Sequence, residues 1–476
     1  MLTREEFQTI YDQGPDAVFA LLTLQQQRIG ALEETVQQLQ QRLDKASHNS
    51  HKPPSSDGLK KPPPKSLRKP SGRKPGGQKG HPGKTLRFCD TPDETIPHIP
   101  VCCCGCGASL EQAEIVDLER RQVHDLPPLR LIVTEHVVQT RRCACGKLTT
   151  AAFPEEASQP IQYGPRLKAL CVYLRDYQLL PFARSQQLLS DLFGASLSTS
   201  TLCAFTTESA KRLKPISEAI QKALIGSALV HFDETGMRVA GKLHWVHSAG
   251  THTLTHYTCH ANRGKTGSDA AGILPKFSGI AVHDAWCSYA QYGCSHALCN
   301  AHHLRELIGL CDQGQTWAKQ MLELLLAIKA CVEQAKQQGK SRLPVLQPIH
   351  FEGRYQAILK QGYAANPAPK HPVVDKRGRP KQTPARNLLL RLDQNRKQVL
   401  AFLYDLSVPF DNNLAERDLR MLKVRQKVSG GFRTLSGAEA FCRVRGYLST
   451  LRKQGKNLLT SLEQVFRGCP EPVVTG

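Results

Sequence analysis

Four short β-rich stretches constrain this chain more than any other feature: ALVHFD (228–233), LHWVHSA (243–249), LTHYTCH (254–260) and GIAVHD (279–284). Each alternates or runs apolar, and Gly or polar turns separate them, which is the pattern of strands rather than helices. A helix-like segment, SDAAGILPKF, stands between the third and the fourth. The order strand-strand-strand-helix-strand predicts a mixed sheet in a ribonuclease H-like arrangement. Asp233 then ends the first strand and Asp284 the last, so the two carboxylates meet at the ends of adjacent central strands.

Two carboxylates on neighbouring strands repel each other unless cations lie between them. Hard divalent ions with oxygen ligands resolve the repulsion, so Mg2+ (or Mn2+) is the expected cofactor. Two such ions about 3.5–4 Å apart serve in-line phosphoryl transfer, and holding both takes a third carboxylate. The candidate is Glu416, in SVPFDNNLAERDLRMLKVRQKVSGGFRT. Asp411 or Asn412 can cap a helix there, which sets Glu416 on its first turns. Asp233 would bridge the ions, with Asp284 and Glu416 each completing one. One ion activates an attacking water or 3′-hydroxyl and the other stabilises the leaving oxygen. The chain has 41 acidic residues, enough to furnish many triads by chance, so strand order and flanking words must carry the assignment.

The partner follows from charge. There are 63 Lys and Arg against 41 Asp and Glu, a formal net charge of +22, and such an excess favours a polyanion, nucleic acid first among them. No apolar run reaches the ~20 residues of a bilayer span, so no membrane partner is expected. MLTREEFQTIYDQG lacks the charged and apolar regions of a signal peptide. The expected location is therefore the cytoplasm, nucleoid-associated when bound to DNA, where disulfides are disfavoured.

At 476 residues the chain exceeds one compact domain, and the sequence divides into seven segments. Residues 1–46 form an N-terminal helix, in which Leu22, Ile29, Val36 and Leu43 recur every seven positions with Leu32 and Leu39 between them. That is a coiled-coil seam about three heptads long, flawed at Gln25 and Gly30, and it predicts a homodimer or higher assembly. Residues 47–88 are a Pro/Gly-rich linker with eleven Lys/Arg and one acid between Lys52 and Arg87. It reads as an extended arm that neutralises DNA phosphates through residues such as Arg73, Lys74 and Lys79.

Residues 89–158 hold seven of the 17 cysteines. Cys103 and Cys106, then Cys143 and Cys145, are two close thiol pairs that can supply a closed tetrahedral Zn2+ site. Cys102 and Cys104 could substitute in the first pair. Between the pairs, ERRQVHDLPPLRLIVTEHVVQTRR alternates like two strands. Residues 159–224 read as helical. A periodic helix there ends near Phe193, Gly194 fits the position after a helix end, and Ser198 or Thr199 can cap the next helix. That spacing fits a helix-turn-helix. Residues 225–299 are the first part of the core, 300–405 a helical insertion, and 406–476 the second part of the core with C-terminal helices. The fold class is thus α+β and multidomain.

The flanking words resemble a known family. HFDETG-x-RV, HD-x-W-x-x-Y, HALCNAHHLREL and PF-x-NNLAERDLRMLKVRQK-x-SGGFR look like the signature blocks of the insertion-sequence-sixty-six transposases, as do NSHKPPSSDG and RKPGGQKGHPGKTL in the linker. The blocks occur in order from the N-terminal helix almost to the C-terminus. The resemblance implies a DDE triad of Asp233, Asp284 and Glu416, a cysteine-rich zinc segment before the core and a helical insertion before the glutamate. It also implies double-stranded DNA as substrate, both element ends and target, and two small accessory proteins of the same element. Departures are His51 and Asp411, where Ser and Thr are usual, and neither touches the triad.

Smaller signals accompany these. Cys299-x2-His302 resembles a pair seen after the second aspartate in several DDE superfamilies. It reads as helix-start packing or hydrogen bonding, or as a metal pair completed by Cys294 or His303. KRGRPK (376–381) resembles an AT-hook core, with Arg377 and Arg379 for a minor groove. Trp245 reads as core, and Trp286 as a platform for a DNA base. Arg417, Arg420, Lys423, Arg425 and Lys427 follow Glu416 and fit phosphate contacts. Two rival functions share these features: a ribonuclease H-fold nuclease without strand transfer, and a catalytically inactive DNA-binding regulator.

Overall fold

The structure is a computed structural model that describes residues 4–43, 80, 86–368 and 382–474. It divides into two compact units, one of Lys65–Glu135 with Leu188–Ser196 and one holding the rest. The fold is mixed α/β, with one mixed sheet and many helices. Among the described residues no helix is long and apolar enough to cross a membrane.

In the larger unit α1 (Arg4–Tyr11) and α2 (Pro15–Leu43) come first. Leu22, Ile29, Leu32 and Val36 of α2 are exposed, so among the described residues nothing covers these positions of the apolar stripe. A short hairpin follows, β1 (Thr140–Arg142) with β2 (Leu148–Thr150). Of the alternation expected between the cysteine pairs, only β1 is realised as strand. Pro127 and Pro128 remove two ladder donors there, and Val123, Ile132 and Val133 stay exposed, so nothing packs to reward pairing.

Helices α3 (Pro165–Val172), α4 (Phe182–Phe193), α5 (Thr199–Arg212) and α6 (Lys214–Ile225) lead to the sheet. A single π-turn, Tyr173–Tyr177, continues α3. Gly194 has φ +63 at the end of α4, and the Ser198 hydroxyl accepts the Thr201 N–H at the start of α5. Leu202, Phe205 and Ala210 of α5 are buried, and its C-terminal turn accepts the Arg443 guanidinium at the Ala210 carbonyl, 3.1 Å.

The central sheet contains β3 (Leu229–Val239), β4 (Lys242–Gly250), β5 (Thr255–His260), β6 (Ile280–His283) and β7 (Ser295–Leu298), in the order β5-β4-β3-β6-β7. β3, β4 and β5 are antiparallel; β6 joins β3, and β7 joins β6, in parallel. A helix, α7 (Lys265–Ala271), connects β5 to β6. Two differences from the sequence reading matter. β7 was unforeseen, because SHAL is too short and mixed to signal a strand. β3 runs on past Asp233 to Val239, because its pairing with β4 continues to Val239↔Lys242. Its parallel pairing with β6 stops at His231↔Val282. Asp233 thus lies mid-strand but just beyond the end of the parallel ladder.

Side chains alternate across a strand, and the two faces of β3 have different partners. Val230 and Phe232 join Ile220, Leu224, Phe277 and Tyr289 in one cluster. Met237 and Val239 join Leu419, Leu422 and Phe441 in another. Asp233, odd-numbered like the second pair, belongs to the face covered by α14 (Asn413–Ser429) and α15 (Leu435–Lys453); α16 (Leu458–Phe466) closes the order. Between β7 and α14 stand α8 (Asn300–Cys311), α9 (Thr316–Gln337), α10 (Leu346–Ala365), α11 (Pro384–Gln394), α12 (Arg396–Val399) and α13 (Ala401–Tyr404). Their core, including Leu307, Met321, Leu325 and Leu388, is continuous with Val282, Ala297 and Leu298 of the sheet.

Candidate active site

Asp233, Asp284 and Glu416 come from β3, from the residue after β6 and from the first turn of α14. Burial, followed by the nearby carboxylates of Glu234, Asp284 and Glu416, holds the Asp233 carboxyl well above the usual range. Burial also raises Glu416, against the opposing pull of Arg305, with Asp284 among the charges that act on it. The charges of Asp284 and Glu416 thus both disfavour ionisation of Asp233, and that of Asp284 disfavours ionisation of Glu416. The chain turns sharply after Asp284: Ala285 has φ +67, a strained value for a residue with a Cβ. In that turn Asp284 Oδ1 accepts the Trp286 N–H at 3.0 Å.

Glu416 is held relative to Asp233 by a residue whose expected role was different. Asn412 precedes α14, yet its side chain caps nothing. It is 2% exposed and faces β3, donating from Nδ2 to the Phe232 carbonyl at 2.8 Å. Its Oδ1 lies 2.8 Å from His231 Nδ1. An amide oxygen only accepts, so His231 Nδ1–H is the donor, and burial holds the ring below its usual value. The local turn is instead made by Asp411, whose Oδ1 accepts the Asn413 N–H at 3.1 Å.

On the same connection, the Asn412 N–H is 3.1 Å from Cys299 Sγ. Cys299 is the N-cap of α8, and its own N–H donates to the His283 carbonyl at 2.9 Å. Ligand atoms of Cys299, His302 and Glu416 all lie within 4.8 Å of one another. Arg305, one turn further along α8, approaches Glu416 at 3.7 Å. Cys294 is absent from this group, and His303 Nδ1 lies 3.1 Å from Asn300 Oδ1.

The neighbouring acids are otherwise engaged. Glu234, on the opposite face of β3 from Asp233, accepts the Arg263 Nε–H at 2.7 Å and the Tyr289 hydroxyl at 2.5 Å. The Arg263 guanidinium stands 3.9 Å from the Trp286 ring centre and 4.9 Å from that of Trp245. Trp286 is 37% exposed, and its ring carries this cation. Asp418, two residues past Glu416, is paired with Lys453 Nζ at 2.7 Å and accepts the Thr255 hydroxyl at 3.2 Å.

Arg417, Arg420, Lys423 and Lys427 of α14 are exposed, and Lys423 Nζ donates to the Gly236 carbonyl at 3.2 Å. Arg425 departs from the expectation of a phosphate contact. It is 6% exposed, its guanidinium lies 4.2 Å from the Phe432 ring centre and 4.6 Å from that of Phe441, and burial lowers it to about 10. One position in each helical turn must face the core, and Arg425 follows the buried Leu422 by three. Arg73, Lys74, Lys79, Arg377 and Arg379 lie outside the described residues.

The cysteine pairs fall in different units and each occupies a tight turn. The Cys103 N–H donates to the Ala108 carbonyl at 2.8 Å, and the Cys103 carbonyl accepts the Gly107 N–H at 2.9 Å. Cys143 repeats the pattern with Lys147 and Gly146, both at 2.8 Å. Gly107 and Gly146 close these turns with φ +73 and +85. Local backbone N–H groups hold the Cys103 and Cys143 thiols below their usual values.

The mixed sheet carries Asp233 on β3 and Asp284 just past β6, and α14 carries Glu416 beside a row of exposed cations. The model of the Transposase IS66 family matches residues 160–440, well over half the chain, and the chain belongs to that family. A family of unknown function (DUF6444) matches residues 8–87. No curated protein matches the chain.

Proposed function

We propose that this chain is the DDE transposase of a bacterial insertion sequence, which binds the element ends, cleaves DNA strands and transfers them into target DNA. The observation that carries this reading is the placement of Asp233 on β3, Asp284 just after β6 and Glu416 on the first turn of α14, with the charges of Asp284 and Glu416 both acting on buried Asp233. Such a set is unfavourable by itself and favourable around divalent cations with oxygen ligands. Sheet order supports a ribonuclease H-like core, since an antiparallel three-strand meander is extended by parallel β6 and β7.

Asp233, Asp284 and Glu416 would hold Mg2+ (or Mn2+), which when bound supplies an activated oxygen nucleophile and stabilises the leaving oxygen. The chain's own residues set the geometry. Asn412 fixes α14 against β3, Ala285 aims Asp284, and Arg305 steadies Glu416. Arg417, Arg420, Lys423 and Lys427 are proposed to contact phosphates, as are Arg73, Lys74, Lys79, Arg377 and Arg379. Cys103, Cys106, Cys143 and Cys145 are proposed as structural Zn2+ ligands, supported by the two matched turns. The helix-turn-helix reading of α4 and α5 and self-association through α2 complete the proposal.

A transposition assay in cells, with the intact element and its accessory genes, tests the reading. Wild type should transpose, and Asp233→Ala, Asp284→Ala and Glu416→Ala should each reduce transposition to background. Retained transposition in any one would remove that residue from the triad.

A further inference from the structure

We propose that Cys299, His302 and Glu416 form a separate site for a borderline-soft divalent cation of the Zn2+ class, which shares Glu416 with the catalytic set. The donors are one sulfur, one imidazole nitrogen and one carboxylate oxygen, mutually within 4.8 Å. Tetrahedral Zn2+, with bonds of ~2.0–2.3 Å, keeps its donors roughly 3.3–3.8 Å apart. About an ångström of closure therefore completes the site, and side-chain torsions of His302 and Glu416 supply it. The donor set itself selects the ion, because thiolate and imidazole suit Zn2+ and disfavour Mg2+.

The surroundings fit a ligand cluster. Cys299 and His302 stand one turn apart at the start of α8, so both point to the same side of that helix. The Asn412 N–H directed at Cys299 Sγ, 3.1 Å away, is the outer contact that a metal-bound thiolate accepts. The Glu416 side chain is 35% exposed, which leaves the fourth position open to solvent. Binding replaces the S–H bond with an S–metal bond and releases that proton to water. It changes no oxidation state.

The consequence for activity rests on the proposed triad: an ion in this site draws Glu416 toward α8 and away from Asp233 and Asp284. Zn2+ would then act as a reversible inhibitor.

Two measurements separate the site from its consequence. The full chain, its Cys299→Ser form and its His302→Gln form are dialysed against zinc-buffered solution, and bound zinc per chain is counted. The wild type should hold one equivalent more than either variant, with each variant's thermal melt confirming that it is folded. Zinc at the proposed Cys103 and Cys143 pairs is common to all three. Equal zinc in all three would overturn the site. The second measurement is DNA nicking in Mg2+ with and without a micromolar excess of Zn2+. Wild-type nicking should fall about tenfold or more, recover on chelation, and fall less in His302→Gln. An equal fall in both proteins would overturn the inhibition. Absence of nicking by the wild type in Mg2+ alone would count against the triad, while the zinc count still decides the site.

Discussion

The Asn412 side chain donates to the backbone of Phe232 at 2.8 Å, across 180 residues of sequence, and thereby ties the helix that carries Glu416 to the strand that carries Asp233. The same amide meets His231 at 2.8 Å. Removing it leaves both partners buried and unpaired, at a cost of ~1–3 kcal/mol each. Asn412→Ala should therefore lower the melting temperature and reduce strand cleavage by ~10-fold or more, as misplaced catalytic groups do. Asn412→Asp, which still accepts from His231, should fall between. Wild-type cleavage by a folded Asn412→Ala protein would show that this bond does not position Glu416.

Asp233 should make the protein less stable at neutral pH when no cation is bound beside it. Its folded value is raised above the unfolded one, so its favourable contribution is complete below the unfolded value. That contribution is lost as pH rises through the folded value. Without Mg2+, Asp233→Asn should melt ~2 °C or more above wild type at pH 8, and the gap should close as pH falls. Mg2+ should raise the wild-type melting temperature, since it binds only the folded state, and should leave the variant almost unmoved. Equal Mg2+ shifts in the two would contradict the assignment.

Glu234 adjoins Asp233 in sequence but serves Arg263 and Tyr289. Glu234→Gln keeps an acceptor oxygen for Arg263 and offers the Tyr289 hydroxyl an N–H in place of the second oxygen, so its Mg2+-dependent cleavage should stay within ~10-fold of wild type. Asp233→Asn should be inactive. The reverse ranking, read in the same cleavage assay, would exchange the two roles.

Along α14, cations at exposed and buried positions should behave differently. Lys427→Ala should reduce the slope of log binding constant against log salt by ~1 without changing the melting temperature, and Lys423→Ala should reduce it likewise with a small loss of stability from its bond to Gly236. Arg425→Ala should destabilise the protein and leave that slope unchanged, because its guanidinium stacks on Phe432 and Phe441. A salt slope altered by Arg425→Ala in folded protein would return this residue to the DNA face.

The sheet was legible because β3, β4, β5 and β6 each carry enough apolar or alternating residues to signal a strand. Strand ends were less so: the pairing of Gly236 and Arg238 with β4 comes from the partner, which no local pattern shows. β7, four residues long, owes its existence to β6. Glu416 was visible through its family-like words and not through spacing, as six helices separate it from β7. Asn412 read as one of two candidate caps, with Asp411, because asparagine before a helix usually is one. Its true partners lie about 180 positions away, beyond any local rule. Arg425 read as one of a basic row until the period of α14 turned it inward.

The most direct measurement is cleavage and joining of DNA carrying the element ends by purified full-length protein in Mg2+. Wild type is predicted to nick at the element ends and join them to target DNA. Asp233→Asn, Asp284→Asn and Glu416→Gln are predicted to bind the same ends and do neither. Full cleavage by any of these three folded variants, or end binding without any nicking by the wild type in Mg2+ or Mn2+, would contradict the account.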